Sequence, residues 1–357
     1  MKSTCSSAHS ILLPSRLIAA CLVLAGSAWS QESPPANDSS ASRDSAPVSI
    51  SPKWAPGTTH YLERNFAQFA PFETVTLNQG KSEIRVFLST GNLSVERSAV
   101  LKWVQDAASA VSHYYGNFPV PKVTLVLLAT GREGVNNGVT FSGRLIQMRF
   151  GKATTEEQFG CDWTLTHEMF HLAFPDLNDE HLWMEEGMAV YFEPLARARV
   201  GICPEKEVWQ GMLDGMHKGM PSAGDEGLDR THTWGRTYWG GALFWFMADV
   251  QIRQQTDNKH SADDALRAIL ADDGDGSKHW PIETVLAKAD KATGTHVLTQ
   301  LYERYATQCA TSTPADLTEL WKALGIKRDG ASVAFDDTAP LAAIRKSMTS
   351  SQQNPAP

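Results

Sequence analysis

The stretch Trp163 to Phe174, WTLTHEMFHLAF, sets three ionisable side chains, His167, Glu168 and His171, into an otherwise apolar run. On a helix, residues four apart share one face about a turn from each other, so both imidazoles reach one ion and Glu168 projects beside them. Two core histidines bonded to backbone carbonyls would be the plainer reading. It leaves Glu168 as a carboxylate in an apolar helix with no cation within four residues, which is costly to bury. A metal ion removes that conflict. Zinc suits the pair, because it takes imidazole nitrogen and, in catalytic sites, keeps one position open. Chance alone would put H-E-x-x-H into roughly 2% of chains this long, so a third ligand has to be found.

The chain around this motif has 357 residues, 42% of them hydrophobic and 20% charged, enough for a sizeable core in one catalytic-sized domain of two lobes. A net charge of -8 and a pI near 5.8, with no Lys/Arg cluster, exclude nucleic acid and anionic lipid as partners. Residues 1–30 read as an export signal. Lys2 and Arg16 supply positive charge, Leu17 to Ala28 is too short to span a bilayer, and Ala28 and Ser30 permit cleavage before Gln31. A periplasmic or secreted protein is expected, with lipid attachment at Cys21 in IAAC as the alternative and no other membrane association. Without the signal, Cys161, Cys203 and Cys309 remain, so at most one internal pair forms. A clip between Cys161 and Cys203 and three unpaired thiols are both open.

Gln31 to Pro52, rich in Ser, Pro, Ala and Asp, reads as a flexible linker, and folding should begin near Trp54. Strands are expected at Glu83 to Ser89, Lys122 to Ala129 and Leu145 to Phe150, with a helix over Ser94 to Tyr115 capped from Ser94. After Gly160 the pattern is helical: Trp163 to Ala173, His181 to Arg199, Glu205 to His217, Arg236 to Gln255, Ser261 to Ala271, Ile282 to Lys291, Thr295 to Gln308 and Ala315 to Leu324. The expected class is therefore α+β: a β-rich lobe over 53–160, a helical lobe over 161–347 with a cleft between them, and a disordered tail over 348–357. No internal repeat interrupts this order.

The third ligand should come from the next helix, where LWMEEGMAVYFEP, Leu182 to Pro194, offers Glu185, Glu186 and Glu193. This segment resembles the W-x-x-E-G-x-x-x-Y-x-E stretch of gluzincin metallopeptidases, whose Glu before the Gly is the third zinc ligand. The resemblance implies that His167, His171 and Glu186 bind one Zn2+ and that Glu168 is the general base. It also implies that Glu193, two turns along the same face, orients a ligand imidazole. Glu185 is the fallback ligand, otherwise a charge at the cleft rim. The metzincin pattern fails, since Phe174 and Leu177 stand where it needs Gly and His or Asp. His181 is expected at a helix start.

Downstream, TYWGGALFWFMA from Thr237 and DVQIRQQTDNKHSADDALRAIL from Asp249 resemble the bacterial glycyl aminopeptidase family, across roughly residues 100 to 325. That resemblance implies a thermolysin-like zincin fold and an oxyanion-stabilising role for Tyr238, whose plainer alternative is a packed aromatic. It also implies peptide or protein substrates held along an edge strand near Thr140 to Phe150. The interval between His171 and Glu186 is shorter than the larger gluzincin families have. Gly134 to Gly143, GVNNGVTFSG, lacks the family's amine-gripping carboxylate, which leaves internal and terminal cleavage open. No C-terminal PDZ domain is expected. Trp183, Trp234, Trp239 and Trp245 line an apolar pocket or belong to the core. A zinc-dependent peptidase is the expectation, and a catalytically inactive peptidase-like binding or scaffolding protein is the rival.

Overall fold

The computed structural model describes residues 66–307 and 314–351. The expected export signal, the linker, the start of folding near Trp54, Cys21 and Cys309 lie outside them.

A five-stranded sheet comes first, in the order β1-β2-β3-β5-β4. Strands β1 (Phe72–Gln79) and β2 (Ser82–Ser89) form an antiparallel pair, β3 (Lys122–Thr130) lies parallel to β2, β5 (Leu145–Gly151) parallel to β3, and β4 (Val135–Phe141) antiparallel to β5. β1 and β4 are therefore the two edges; the edge near Thr140 is Val135–Phe141, and the second half of the expected Thr140 to Phe150 edge lies inside the sheet. Its polar, Gly-containing sequence hid β4, because every residue of it is only partly buried. Helix α1 (Arg97–Tyr115) makes the crossover between β2 and β3. Its first residue follows Glu96 without a side-chain cap, and the Ser94 hydroxyl instead donates to the Lys152 carbonyl.

One face of the sheet packs Val86, Leu127, Met148 and Phe150 into the main core, together with the helices. Phe87, Val126 and Leu128 form a smaller cluster on the other face, beneath Phe66, Phe69 and Phe72. The helical part follows: α2 (Glu156–Gly160), α3 (Thr164–Phe170), α4 (Leu182–Arg199), α5 (Glu205–Gly215), α6 (Gly241–Gln255), α7 (Ala262–Ala271), α8 (Ile282–Thr293), α9 (Val297–Tyr305), α10 (Pro314–Leu324) and α11 (Ala342–Thr349). A small hairpin, β6 (Ile326–Asp329) and β7 (Ser332–Phe335), precedes α11, which runs into the segment expected as a tail. A sheet part followed by a helical part is the expected arrangement. No helix among the described residues is long and apolar enough to cross a membrane.

Helices α4 and α6 cross backbone to backbone. A Cβ on Gly187 would overlap the Gly241 backbone, and one on Gly241 would overlap the Trp183 carbonyl. Replacing Gly187 with Ala is expected to cost roughly 1–3 kcal/mol of stability. Denaturant unfolding would show this as a lower midpoint with an unchanged slope.

The run from Asp249 to Leu270, singled out by resemblance, is a buried ion network. Arg253 donates to Asp249 at 2.9 Å, and Arg199 reaches Asp263 at 2.9 Å. Burial opposes ionisation of Asp263, but three arginines around it hold its carboxyl at about 2. Asp249 also accepts from the Ala262 N–H, so the network ties α6, α7 and α4 together rather than facing a cleft.

Cys203 is a free, buried thiol, so the clip to Cys161, one of the two open alternatives, does not form. Cys161 is disulfide-bonded, so the alternative of three unpaired thiols does not hold either. Trp183, Trp239 and Trp245 are core residues, and Trp234 alone of the four is exposed.

Candidate metal centre

The histidine helix is short. Helix α3 covers Thr164–Phe170 and tightens into a 3-10 turn, His171–Ala173, so His171 stands at the change of pitch. Asp162 holds its first turn, accepting from the Thr164 and Leu165 N–H groups at 3.0 and 3.1 Å. A second 3-10 turn, Asp179–His181, leads into α4. His181 does occupy the helix start, where its Nδ1 pairs with Asp229 at 3.0 Å.

Three groups converge where α3 meets α4. His167 Nε2 lies 3.2 Å from Glu186 Oε2, His171 Nε2 lies 3.6 Å from the same oxygen, and the two Nε2 atoms are 3.3 Å apart. Ligand atoms from all three residues lie within 4.8 Å of one another. Glu185 points elsewhere, one of its oxygens accepting from the Leu177 N–H at 2.9 Å.

The electrostatics are those of a cation site. Burial alone would lower the His171 imidazole, but the Glu186 carboxylate outweighs it and holds the group at about 9. Burial likewise opposes the Glu186 charge, and the two imidazoles hold it far below the ordinary carboxylate range. Two imidazole nitrogens and one carboxylate oxygen, buried and convergent, fit a zinc site with one coordination position left for substrate or water.

Beside this trio, Glu168 meets the edge strand. The Thr140 hydroxyl lies 2.7 Å from Glu168 Oε2. Gly138 makes room, since a Cβ there would overlap the Glu168 side chain and Met148. Burial raises the Glu168 carboxyl above its usual value, against the pull of both imidazoles and Thr140. Sequence reading did not single out Thr140. Its only signal was the absence of the usual carboxylate from that strand. Replacing Thr140 with Val is expected to keep bound zinc and to slow turnover about tenfold, the effect of one hydrogen bond to a charged group. Steady-state kinetics beside a zinc assay checks this.

Tyr238 lies in a single π turn, Gly235–Gly240, leading into α6. Burial first, and then the Glu186 and Glu168 carboxylates, push its hydroxyl far above the ordinary tyrosine range, so it stays a proton donor. Trp234 stacks on it with ring centroids 6.2 Å apart. Glu193 is buried but pairs with Arg197 at 3.4 Å, and burial pushes its carboxyl up to about 7. Neither of its oxygens bonds an imidazole; Glu193 Oε2 and His167 Nδ1 are both buried without a hydrogen-bond partner.

A cleft of about 360 Å³ opens beside the trio, lined by Thr140, Phe141, His171, Glu185, Glu186 and the loop 276–279, among others. That loop bridges its two walls. Gly276 donates to the Leu172 carbonyl at 3.1 Å, and its backbone packs against Gly143 so closely that a Cβ on either glycine would overlap its surroundings. Arg144 adds a bond to Asp275 at 3.3 Å. The cleft is thus closed at the Gly143 end.

No family model and no curated protein matches this chain. Solved structures do. One is an aminopeptidase N family protein from Idiomarina loihiensis, with a TM-score of 0.57 and 17% identity over 72% of this chain and 50% of that one. Another is an M1 zinc metallopeptidase from Deinococcus radiodurans, with a TM-score of 0.45 and 18% identity over 69% of this chain and 54% of that one. The chain spans about half the length of these structures. At 17% identity, the likeness to the aminopeptidase N family protein is one of fold.

Proposed function

We propose that this chain is an exported zinc-dependent metallopeptidase with a thermolysin-like gluzincin fold, nearest in its motifs to the glycyl aminopeptidases. The observation that carries the reading is the convergence of His167, His171 and Glu186 within 4.8 Å, with Glu168 held beside them by Thr140. Zinc bound by that trio supplies a Lewis acid that makes water nucleophilic at neutral pH and polarises a carbonyl. Glu168 takes the proton from the attacking water and delivers it to the leaving amine. Tyr238 donates its hydroxyl hydrogen to the developing oxyanion. An extended peptide adds to the free edge of β4 through main-chain hydrogen bonds.

The test is inexpensive. After dialysis the protein should hold close to one zinc per chain and should cut a mixed peptide library, and a chelator should abolish the cutting. A metal-free protein that cleaves no bond would favour the rival, a binding or scaffolding protein on the same fold. Free and N-acetylated forms of one peptide then separate terminal from internal cleavage.

A further inference from the structure

The opposite face of the same sheet carries a second cleft, of about 540 Å³, near the carboxyl ends of the parallel strands β3 and β5. Arg132, Arg149 and Lys152 line it, together with Phe69, Asn136 and Asn137, and no carboxylate among the described residues does. None of the three cations has an ion-pair partner among the described residues, and the Arg149 Nε is buried without a hydrogen-bond partner. In a chain of net charge -8, three uncompensated cations around one cavity are unusual. A partly buried guanidinium without a partner costs free energy that an incoming anion offsets.

The cleft lies within reach of a peptide on β4. Asn137 pairs with Arg149 across the β4/β5 ladder, while Gly138 and Thr140, on the other face, touch Glu168. A peptide on the free edge of β4 would alternate its side chains between these two faces. Opposite Asn137, its backbone would be two strand spacings from β5, about 9.6 Å, a gap that an Arg and a Glu side chain span together. Because the cleft over the metal trio is closed at Gly143, the longer arm of a substrate must leave toward Val135 and pass this position.

We infer that Arg132, Arg149 and Lys152 form a subsite for a carboxylate of the substrate, carried by an acidic side chain near the bond over Glu168. The inference rests on the peptidase reading and deepens it, by naming acidic peptides as the preferred substrates.

The test uses a peptide cut by the zinc-loaded full chain. Each position on the Val135 side is made Glu or Gln in turn, with the C-terminus free or amidated. One position should favour Glu over Gln by roughly three- to tenfold in kcat/KM, mainly through KM, and added salt should shrink the ratio. Arg149→Met should bring the ratio near one, as should the double variant Arg132→Ala with Lys152→Ala, which spares the inner strand if Arg149→Met fails to fold. Binding of the Glu and Gln peptides to Glu168→Gln protein, measured by calorimetry, should show the same preference. Equal cleavage of Glu and Gln peptides, or a ratio that survives both sets of substitutions, overturns the inference and leaves the peptidase standing. A preference that follows only the terminal carboxylate also overturns it. If no peptide is cut or bound, the peptidase reading fails and the subsite falls with it.

Discussion

Glu168→Gln protein is expected to hold zinc as the parent does and to turn over roughly 10²- to 10⁴-fold more slowly, the usual share of a positioned general base. The substitution keeps size and shape, and its amide oxygen can still accept from Thr140, which lies 2.7 Å from Glu168 Oε2. What it removes is the proton-accepting carboxylate. Burial already lifts the Glu168 carboxyl above its ordinary value, toward the range where a base both accepts and returns a proton. Loss should therefore fall on kcat, with KM little changed. Zinc content by atomic spectroscopy, beside single-turnover rates, separates loss of the base from loss of the metal. Full activity in this variant would remove Glu168 from the mechanism.

Glu186→Ala protein is expected to lose the metal itself. Zinc affinity should drop by more than the ~10- to 100-fold that follows loss of a supporting residue, because a ligand oxygen disappears. A protein saturated at 100 times its dissociation constant gains about 2.7 kcal/mol from binding, so the thermal shift on adding zinc should also vanish.

The parent carries a pH signature. The His171 imidazole is raised from 6.5 to about 9 by Glu186, so its stabilisation of the metal-free fold is full below 6.5 and lost as pH rises through about 9. The Glu186 carboxyl is depressed from 4.5, so its contribution is present above 4.5 and lost only in strong acid. The metal-free pair is thus most stabilising between 4.5 and 6.5. Zinc must expel the His171 proton, so its affinity should rise about tenfold per pH unit toward 9 and then level off. Zinc titrations at several pH values check the slope, and a flat profile would count against joint ligation by His171 and Glu186.

Much of this was legible in the linear chain because its signals are local. Helical spacing alone brings His167 and His171 to one side of α3, and the apolar period around Trp183 and Glu186 marks α4. The strands β2, β3 and β5 were readable for the same reason, being apolar and bounded by turn residues. The sequence also offered His167, His171 and Glu186 as the donor set, and these three converge in the folded chain.

Other features depend on which segments meet, and periodicity carries no information about that. Only the folded chain seats Thr140 on Glu168, through an edge strand that Gly138 leaves thin enough to admit the Glu168 side chain. The tertiary structure turns the Asp249–Arg253 run into a buried network, leaves Cys203 unpaired, and pairs Glu193 with Arg197. It likewise closes one end of the cleft with a loop more than a hundred residues from the motif, and gathers three cations behind the same strand. Sequence determined which two imidazoles could share a cation, because His167 and His171 stand one helical turn apart, and packing of α4 on α3 brought Glu186 to them. Tertiary packing decided what surrounds them, because those contacts join residues that are far apart in the chain.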